Sequence, residues 1–357
     1  MKQKLLKEIY NTLAKGYDWL YHQAIDTGHW GDIRSTALSS IALELREPIN
    51  SKWLSTSRNW LLGEQISVND TFFHWNEEVW DTAMAIYALN QLHLNQKDPR
   101  YQKTIDWIEN LFNKTKRQNW HDEPWETCWA LIAILESNNP QKYFRTIVIS
   151  LDWLLSFKSS NGMIIAPHYT AYYIIIYSKL SSAASQFKFQ LDEKYSKAAD
   201  EATYYLINEI KPDILWNGEA WANGQILWAL CYAKRFPVSN ENLIETVVNW
   251  FAIHQEADNG NWEDEEDTAS ALIGLSHLVM RIEEVENFDE LRRRLRDKYE
   301  TPDLRIKPKF IERHSNGYYS VNLSPFLLRI AIIISTVASA LLLILEFGGY
   351  IVNLFKK

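Results

Sequence analysis

The chain of 357 residues is poor in cysteine and lacks the marks of a secreted protein. Its two cysteines, Cys128 and Cys231, are too few for a disulfide scaffold. The first ten residues, MKQKLLKEIY, do not read as a secretory signal. We therefore expect the folded part of the chain to remain in a reducing cytosol.

Positive charge is scarce over most of the chain. Residues 1–290 hold 25 Lys and Arg against 40 Asp and Glu, a net charge of −15, whereas residues 291–357 hold 12 against 5, a net charge of +7. Because phosphate binding needs a basic surface, the acidic body argues against a nucleic-acid ligand. With 46% hydrophobic and 23% charged residues, the chain has the composition of a globular protein and not of a disordered one.

The longest hydrophobic run follows the basic segment. Residues 330–345, IAIIISTVASALLLIL, carry no charge. The sequence predicts one C-terminal transmembrane helix over residues 326–351, and the alternative is a helix buried in a protein core. Nine basic residues between 292 and 313 precede this segment and, by the positive-inside rule, place the N-terminal body in the cytoplasm. Residues 283–325 are predicted to form a charged helix and a Pro-bearing linker, whose basic face contacts solvent or anionic lipid.

Self-similarity with a period of about 45 residues organises residues 1–282. Each unit has a Trp or Tyr before a hydrophobic residue, then a Trp or Met, then a small polar residue that opens an apolar helix. These three series are Trp19, Trp60, Trp107, Trp153, Tyr205 and Trp250; Trp30, Trp75, Trp120, Met163, Trp216 and Trp262; and Thr36, Thr82, Thr127, Thr170, Asn223 and Thr268.

The repeat predicts two helices per unit. The second is apolar on nearly all faces, and the first is amphipathic. Because each hairpin can bury its apolar face only against its neighbours, six units predict an all-α fold, an (α/α)6 toroid of two concentric layers over residues 1–282. An open superhelical solenoid of the same repeats is the alternative.

Several segments resemble the Gln-Trp repeats of the squalene cyclase and prenyltransferase superfamily. They are WLYHQAIDTGHW, WLLGEQ and WFAIHQEADNGNW, while WDTAMAIYAL and DTASALIGL are similar to its inner helices. The resemblance covers about residues 5–282 and implies an α/α toroid. It also implies a structural role for Gln23, Gln65 and Gln255, each amide bonding to a free helix terminus while the indole packs over it.

Acidic residues lie between the two helices of nearly every unit. In a toroid they would meet at one opening, at the N-termini of the inner helices, where the helix dipole and the free amide groups favour carboxylates. This structural role accounts for Asp81, Glu126 and Asp267, each of which stands directly before the Thr of its unit.

The run Asp264 to Ala269, DEEDTA, exceeds what the repeat requires. It resembles the Asp-x-Asp-Asp-Thr-Ala motif of class II terpene cyclases, which implies that Glu266 is the proton donor and that Asp264 and Asp267 orient it. Crowded, buried carboxylates raise the pKa of one member and keep a proton available. A carbocation below them would need aromatic faces. The residues expected to bind substrate in this way are Trp80, Trp125, Trp129, Tyr172, Tyr173, Trp221 and Trp228.

The sequence thus predicts a membrane-anchored, terpenoid cyclase-like protein that takes an apolar isoprenoid from the bilayer. Class II cyclases place their cavity between two toroids, so a second toroid subunit or a homo-oligomer is an open expectation. The alternative is a non-catalytic toroid, tethered at the membrane, that acts as a scaffold or binds a lipid, a glycan or a cationic peptide.

No cofactor is expected. Protein prenyltransferases share the implied fold and hold zinc with an Asp, a Cys and a His, but here no His stands before Thr170 or Thr268. Histidines do occur at four successive openings, yet no two are spaced for one helix face, so the spacing supports neither a Zn nor a Mg site. These histidines are His29, His74, His121 and His168.

Overall fold

The computed structural model describes residues 2–68, 71–76, 78–93, 98–115, 119–296, 311–313 and 319–321. The chain divides into two compact units, Met1–Ile306 and Lys307–Lys357. The segment 326–351, predicted to cross the membrane, lies outside the described residues. Among the residues that are described, no helix is long and apolar enough to span a bilayer.

Helices build the described part of the first unit, which confirms the prediction of an all-α fold. Twelve of them pair into six hairpins: α1 (Lys2–Ala24) with α2 (Ile33–Glu44), α3 (Lys52–Gly63) with α4 (Val79–Gln91), α5 (Pro99–Thr115) with α6 (Pro124–Leu135), α7 (Phe144–Leu155) with α8 (Pro167–Phe187), α9 (Glu193–Asn208) with α10 (Ala220–Tyr232), and α11 (Glu241–His254) with α12 (Glu265–Glu283). A further helix, α13 (Phe288–Arg296), follows, and a 3-10 turn, Pro140–Tyr143, precedes α7.

Two short β-hairpins accompany the helices. Between α3 and α4, β1 (Ile66–Val68) pairs antiparallel with β2 (Phe72–His74), so that Ile66 faces His74. In the second unit, β3 (Ile311–Arg313) pairs antiparallel with β4 (Tyr319–Val321), and Ile311 faces Val321.

The helices of the hairpins form two layers. The even-numbered ones, here called the inner helices, are buried on nearly all faces; in α6 every residue from Thr127 to Leu135 is buried. Each inner helix contacts the next, and α12 contacts α2, so the contacts form a closed cycle of six helices. The odd-numbered helices α1 to α11, here called the outer helices, bury one stripe; α3 packs against α2 and α4, and α1 against α12.

The tightest contact in this cycle joins α10 and α12, where two glycines meet. A Cβ atom on Gly224 would lie 2.3 Å from the carbonyl oxygen of Ser270, and one on Gly274 would lie 2.5 Å from that of Gly224. A side chain at either position would therefore force the two helices apart.

One pair of hydrogen bonds explains the period of the sequence. In the second hairpin the backbone N–H of Trp75 donates to Thr82 Oγ1 (2.9 Å), and its indole Nε1 donates to the carbonyl of Leu61 in the outer helix (2.6 Å). The pair fastens the loop to both helices of its hairpin, and we call it the Trp–Thr clasp. It recurs in five hairpins, with Trp30 and Thr36, Trp75 and Thr82, Trp120 and Thr127, Trp216 and Asn223, and Trp262 and Thr268.

The fourth hairpin departs from the expected repeat. The backbone donor to Thr170 is Ile164 (2.8 Å), so the assignment of Met163 to the tryptophan position is one residue too early. The Sδ of Met163 instead accepts a hydrogen bond from the hydroxyl of Tyr205 (3.0 Å). Without an indole, this hairpin keeps only the backbone half of the clasp.

The glutamines do not share the structural role expected of them. Gln255 Nε2 donates to the carbonyls of Thr12 (2.9 Å) and Gly260 (2.6 Å), whereas Gln23 is exposed. In the clasp it is the indole that reaches the outer helix. The expectation that the amide serves the helix terminus is therefore wrong as a general rule of the repeat.

Helix α13 packs against the C-terminal ends of two inner helices. Arg292 forms an ion pair with the carboxylate of Glu44, the last residue of α2, and its Nε donates to the carbonyl of Glu44 (2.8 Å). Leu291 and Leu295 are buried, and the ring of Phe288 lies 6.0 Å from that of His277 in α12. Arg292 thus departs from the solvent-facing or lipid-facing role expected of the basic run in residues 283–325.

Candidate functional site

A cavity of about 500 Å³ opens at the N-terminal ends of the inner helices, and we call it the mouth. Tryptophans from α4, α6 and α10 form one part of its wall, and carboxylates from the segments before α10 and α12 and from the first turn of α12 form another. Its lining residues are Leu38, Trp80, Trp125, Glu219, Trp221, Gln225, Glu263, Asp264, Glu266, Asp267 and Ser270. The mouth therefore brings together six of the ten predicted site residues: Asp264, Glu266, Asp267, Trp80, Trp125 and Trp221.

Six side chains at one position of the repeat surround the mouth. Each stands two residues before the small polar residue of its hairpin, and each is only partly buried. Five of the six successive pairs around this circle are in contact. We call this set the mouth ring, and it consists of Arg34, Trp80, Trp125, His168, Trp221 and Glu266.

The tryptophans of the mouth ring meet edge to face. The Trp125 ring lies 5.6 Å from that of Trp80, at 76°, and 5.6 Å from that of Trp221, at 79°. This geometry suits the quadrupoles of the rings, and all three tryptophans line the cavity. The Trp80 indole donates to Glu78, whereas Trp125 Nε1 is buried with no hydrogen-bond partner.

Sequence reasoning missed two members of the ring. The repeat pattern alone assigns Arg34 no role, and it marks His168 only as a possible metal ligand. His168 lies between Trp125 (6.1 Å between rings) and Trp221 (5.1 Å), and burial lowers its pKa to about 4, so it is neutral at pH 7. The position two residues before Thr36 or Thr170 is the signal that would have found both.

The three acidic residues predicted to be catalytic have distinct partners. Asp264 precedes α12 and caps it by accepting the N–H of Asp267 (2.9 Å). Asp267 accepts the backbone N–H of Trp221 (2.8 Å), so it satisfies a free amide at the start of the neighbouring helix α10. Glu266 belongs to the mouth ring, and its Oε1 lies 3.8 Å from Arg34 Nε.

Burial raises the pKa of two of these carboxyls. That of Asp267 rises to about 7, chiefly because the group is buried, although the Trp221 amide lowers it. The pKa of Glu266 rises for the same reason, with Arg34 opposing the rise. A proton is therefore held near neutral pH at Asp267, one residue beyond the expected donor.

Asp81, Glu126 and Asp267 were expected to share one role, capping the N-termini of the inner helices, but each has a different partner. Asp267 caps a neighbouring helix, whereas Asp81 accepts from the side-chain amide of Asn76 (2.7 Å) and Glu126 pairs with His121 (2.7 Å). Position in the repeat thus sets where each carboxylate lies, and the local loop sets its partner.

Aromatic side chains occupy the space directly below the mouth, and a smaller cavity of about 220 Å³, lined in part by Tyr87 and Trp228, lies beyond them. Trp129 and Tyr172 are fully buried and lie 5.7 Å apart, and the Tyr87 ring contacts Trp129 (6.0 Å) and Trp228 (6.2 Å). Tyr172 underlies the mouth, because its ring lies 5.3 Å from Trp125 and its hydroxyl bonds to Gln225. The mouth is therefore a basin above a packed core.

Four of the residues expected to bind substrate do not line the mouth. Trp129 and Tyr172 lie beneath it, and Trp228 lies deeper, against Tyr87. Tyr173 points away from the centre, since its hydroxyl donates to the carbonyl of Tyr195 in the outer helix α9 (3.2 Å). These four side chains belong to the core.

The histidines at the openings have packing partners. His29 stacks on Trp60 (4.5 Å) and His74 on Trp107 (4.8 Å), in each case an outer-helix residue of the next hairpin. Within the described residues, no group of three or more His, Cys, Asp or Glu side chains is arranged to hold a metal ion.

Comparison with known proteins adds no identification. No protein-family model matches this chain, and none of the curated proteins matches it.

Proposed function

We propose that this chain is an (α/α)6 toroid of the squalene cyclase and prenyltransferase type that works as a binding module for a positively charged peptide. The closed cycle of inner helices and the outer layer support the toroid. The segment 326–351 would tether the toroid to a membrane, with its body on the cytoplasmic side.

The observation that carries this proposal is the contrast between the mouth and the core below it. The mouth offers three tryptophans and five carboxylates around about 500 Å³. A polyene cyclase needs a deep apolar cavity, and here Trp129 and Tyr172 occupy the space directly below the mouth, while the cavity beyond them, lined in part by Tyr87 and Trp228, measures only about 220 Å³. A ligand that enters only the mouth meets negative charge and π faces, which together favour a cation.

The charge of the whole body supports the same ligand. Residues 1–290 carry a net charge of −15, so they attract a basic partner from a distance. A cation at the mouth would also offset the mutual repulsion of Asp264, Glu266 and Asp267, which lie within four residues of one another. Steering and binding would then favour the same partner.

The test is a titration of the full chain, purified in detergent, with three capped amino acids. The probes are the N-acetyl methylamides of arginine, lysine and citrulline, the last being a neutral isostere of arginine. We expect the charged probes to bind at the mouth and quench tryptophan fluorescence. The Trp125→Leu variant should bind them roughly tenfold more weakly, because a desolvated cation–π contact contributes about 1–2 kcal/mol.

The matched control is Trp153→Leu, on the outer helix α7. Trp153 is partly exposed and contacts Phe157 (5.0 Å), away from the mouth. It should leave the affinity unchanged. Citrulline binding as tightly as arginine, or Trp153→Leu weakening binding as much as Trp125→Leu, would contradict the proposal.

A second candidate is protonation-initiated cyclisation of an isoprenoid, and the raised pKa of Asp267 favours it. A carboxyl with a pKa of about 7 beside three tryptophans can donate a proton near neutral pH. The substrate would have to react in the mouth itself, above Tyr172, or the core would have to rearrange.

That candidate is tested with squalene and geranylgeranyl diphosphate as substrates. Membrane fractions containing the wild-type chain, Glu266→Gln or Asp267→Asn are compared for cyclised product by mass spectrometry. Cyclisation predicts product from wild type and loss in at least one variant. No product from any of them removes this candidate and leaves the binding module.

A further inference from the structure

A cation of this chain already lies at the edge of the mouth. The guanidinium carbon of Arg34 stands 4.1 Å from the centre of the Trp80 ring. Its Nε lies 3.4 Å from Asp81 Oδ1 and 3.8 Å from Glu266 Oε1. Arg34 thus combines the two contacts that the mouth offers a ligand, a π face and carboxylates.

Arg34 is held loosely by these contacts. Both Nε to oxygen distances are longer than those of charge-assisted hydrogen bonds, and 34% of the side chain is exposed. Asp81 Oδ1 is buried with no hydrogen-bond partner, so the nearest carboxylate is not satisfied by the arginine beside it. An ion pair of this geometry contributes little stability and can be displaced at small cost.

The other side of the mouth repeats the same chemistry without a cation. Trp80, Trp221, Glu266 and Asp267 line this one cavity, and among the described residues Arg34 lies over the ring of Trp80 whereas no lysine or arginine lies over that of Trp221. Trp221 therefore offers a second tryptophan face in the cavity that Glu266 lines.

We infer that the ligand of the mouth is an arginine side chain presented by a peptide, and that Arg34 competes with it for Glu266 and the tryptophan faces. This inference rests on the proposed binding function and names its ligand. Arginine fits better than lysine because its planar guanidinium stacks on an indole and binds a carboxylate through two parallel N–H bonds at once. Lysine offers a point charge, which cannot make both contacts in that geometry.

The competition makes an unusual prediction for the variant Arg34→Ala. Removing a side chain that holds a ligand weakens binding, whereas removing a competitor strengthens it. We expect Arg34→Ala to bind N-acetyl-arginine methylamide roughly three- to tenfold more tightly than wild type, the range set by an exposed ion pair and one cation–π contact. Arg34→Lys should lie between the two.

The control is Arg145→Ala, which removes an exposed arginine from the outer helix α7. It changes the net charge by the same amount as Arg34→Ala. Because Arg145 lies on an outer helix and does not line the mouth, the variant should leave the affinity for the probe at the wild-type value. The gain in Arg34→Ala should persist in about 0.5 M salt, where the Debye length is only a few ångströms and long-range attraction is screened. Circular dichroism melts confirm that each variant is folded.

Each outcome decides between the two proposals. Weaker or unchanged binding by folded Arg34→Ala, while wild type binds, overturns the competition and leaves the binding module. Equal gains for the lysine and arginine probes overturn the preference for guanidinium. No binding of any charged probe by wild type or Arg34→Ala overturns the binding function itself.

Discussion

The two ends of the inner-helix cycle differ in how closely their charged side chains are paired. At the C-terminal ends, which we call the base, cations have close carboxylate partners: Lys179 pairs with Glu136 and Arg292 with Glu44. At the mouth, the described ion pair of the five lining carboxylates is the long one between Glu266 and Arg34, at 3.8 Å. The base also binds α13.

This difference separates side chains that hold the fold from side chains that are available to a ligand. Lys179 and Arg292 have side chains only 4% and 6% exposed, so their charges would be costly without partners. Apart from the buried Asp267, the mouth carboxylates keep part of their surface in water, and a cationic ligand would relieve their mutual repulsion. We therefore expect substitutions at the base to change stability and substitutions at the mouth to change binding.

The largest expected effect is at the base, in the variant Arg292→Met. It leaves Glu44 buried without its partner, and we expect a loss of ~3–5 kcal/mol in the free energy of unfolding at pH 8. Because burial raises the pKa of Glu44 to about 7, the unpaired carboxyl can take up a proton at lower pH, so the loss should be smaller at pH 5.5. Urea unfolding at both pH values measures it.

The neighbouring residue on α13 provides the control. Arg293 is 61% exposed and pairs with Glu290 on its own helix, so Arg293→Ala should cost less than ~1 kcal/mol. The double variant Arg292→Met with Glu44→Leu should recover much of the stability, since neither charge is then left unpaired. Equal losses for Arg292→Met and Arg293→Ala would show that the base pair does not hold α13.

A smaller and opposite effect is expected at the mouth, in Asp267→Asn. The folded-state pKa of Asp267 is about 7 against an ordinary value of 3.8, so its contribution to stability is complete below pH 3.8 and is lost as pH rises through 7. The asparagine keeps an acceptor for the Trp221 amide and has no charge to bury. It should therefore be more stable than wild type at pH 8, by ~1–3 kcal/mol, and nearly equal to it at pH 4.

Thermal melts from pH 4 to pH 8 measure the difference between the two proteins. Asp213→Asn, which changes an exposed aspartate, is the control and should follow wild type throughout. A wild-type protein that is more stable than Asp267→Asn at pH 8 would mean that the charged carboxylate is favoured in the fold.

The period of the fold could be predicted because both partners of the Trp–Thr clasp recur in five of the six units. The indole and the threonine hydroxyl are six or seven residues apart, as Trp75 and Thr82 show, so the signal is local. The role of α13 could not be predicted in this way. Arg292 and Glu44 are 248 positions apart, and an arginine in a basic run has no local mark of burial.

The residue types of the site could be predicted from the sequence, but the depth of each side chain below the mouth could not. Trp80, Trp125, Trp221 and Glu266 were expected at the mouth and line it. Residues four positions further on lie on the same helix face one turn deeper, about 5–6 Å below. There Leu38, Gln225 and Ser270 form the floor, while Trp129 and Tyr172 fill the space on the other side. An aromatic residue of an inner helix therefore reaches the mouth when it stands two residues before the small polar residue of its hairpin, and one turn further along the helix it is part of the core.

The smallest expected effect on stability, with a clear effect on binding, is that of Glu266→Gln. The Glu266 side chain is 30% exposed and its charge lies 3.8 Å from Arg34, so its loss should change the free energy of unfolding by less than ~1 kcal/mol. If Glu266 is the carboxylate shared by Arg34 and the ligand, the same variant should bind N-acetyl-arginine methylamide at least fivefold more weakly, because about 1 kcal/mol of charge-assisted bonding is removed. Calorimetric titration and urea unfolding on one preparation give both values. A large loss of stability with unchanged affinity would reverse the assignment, because Glu266 would then serve the fold as Arg292 does at the base.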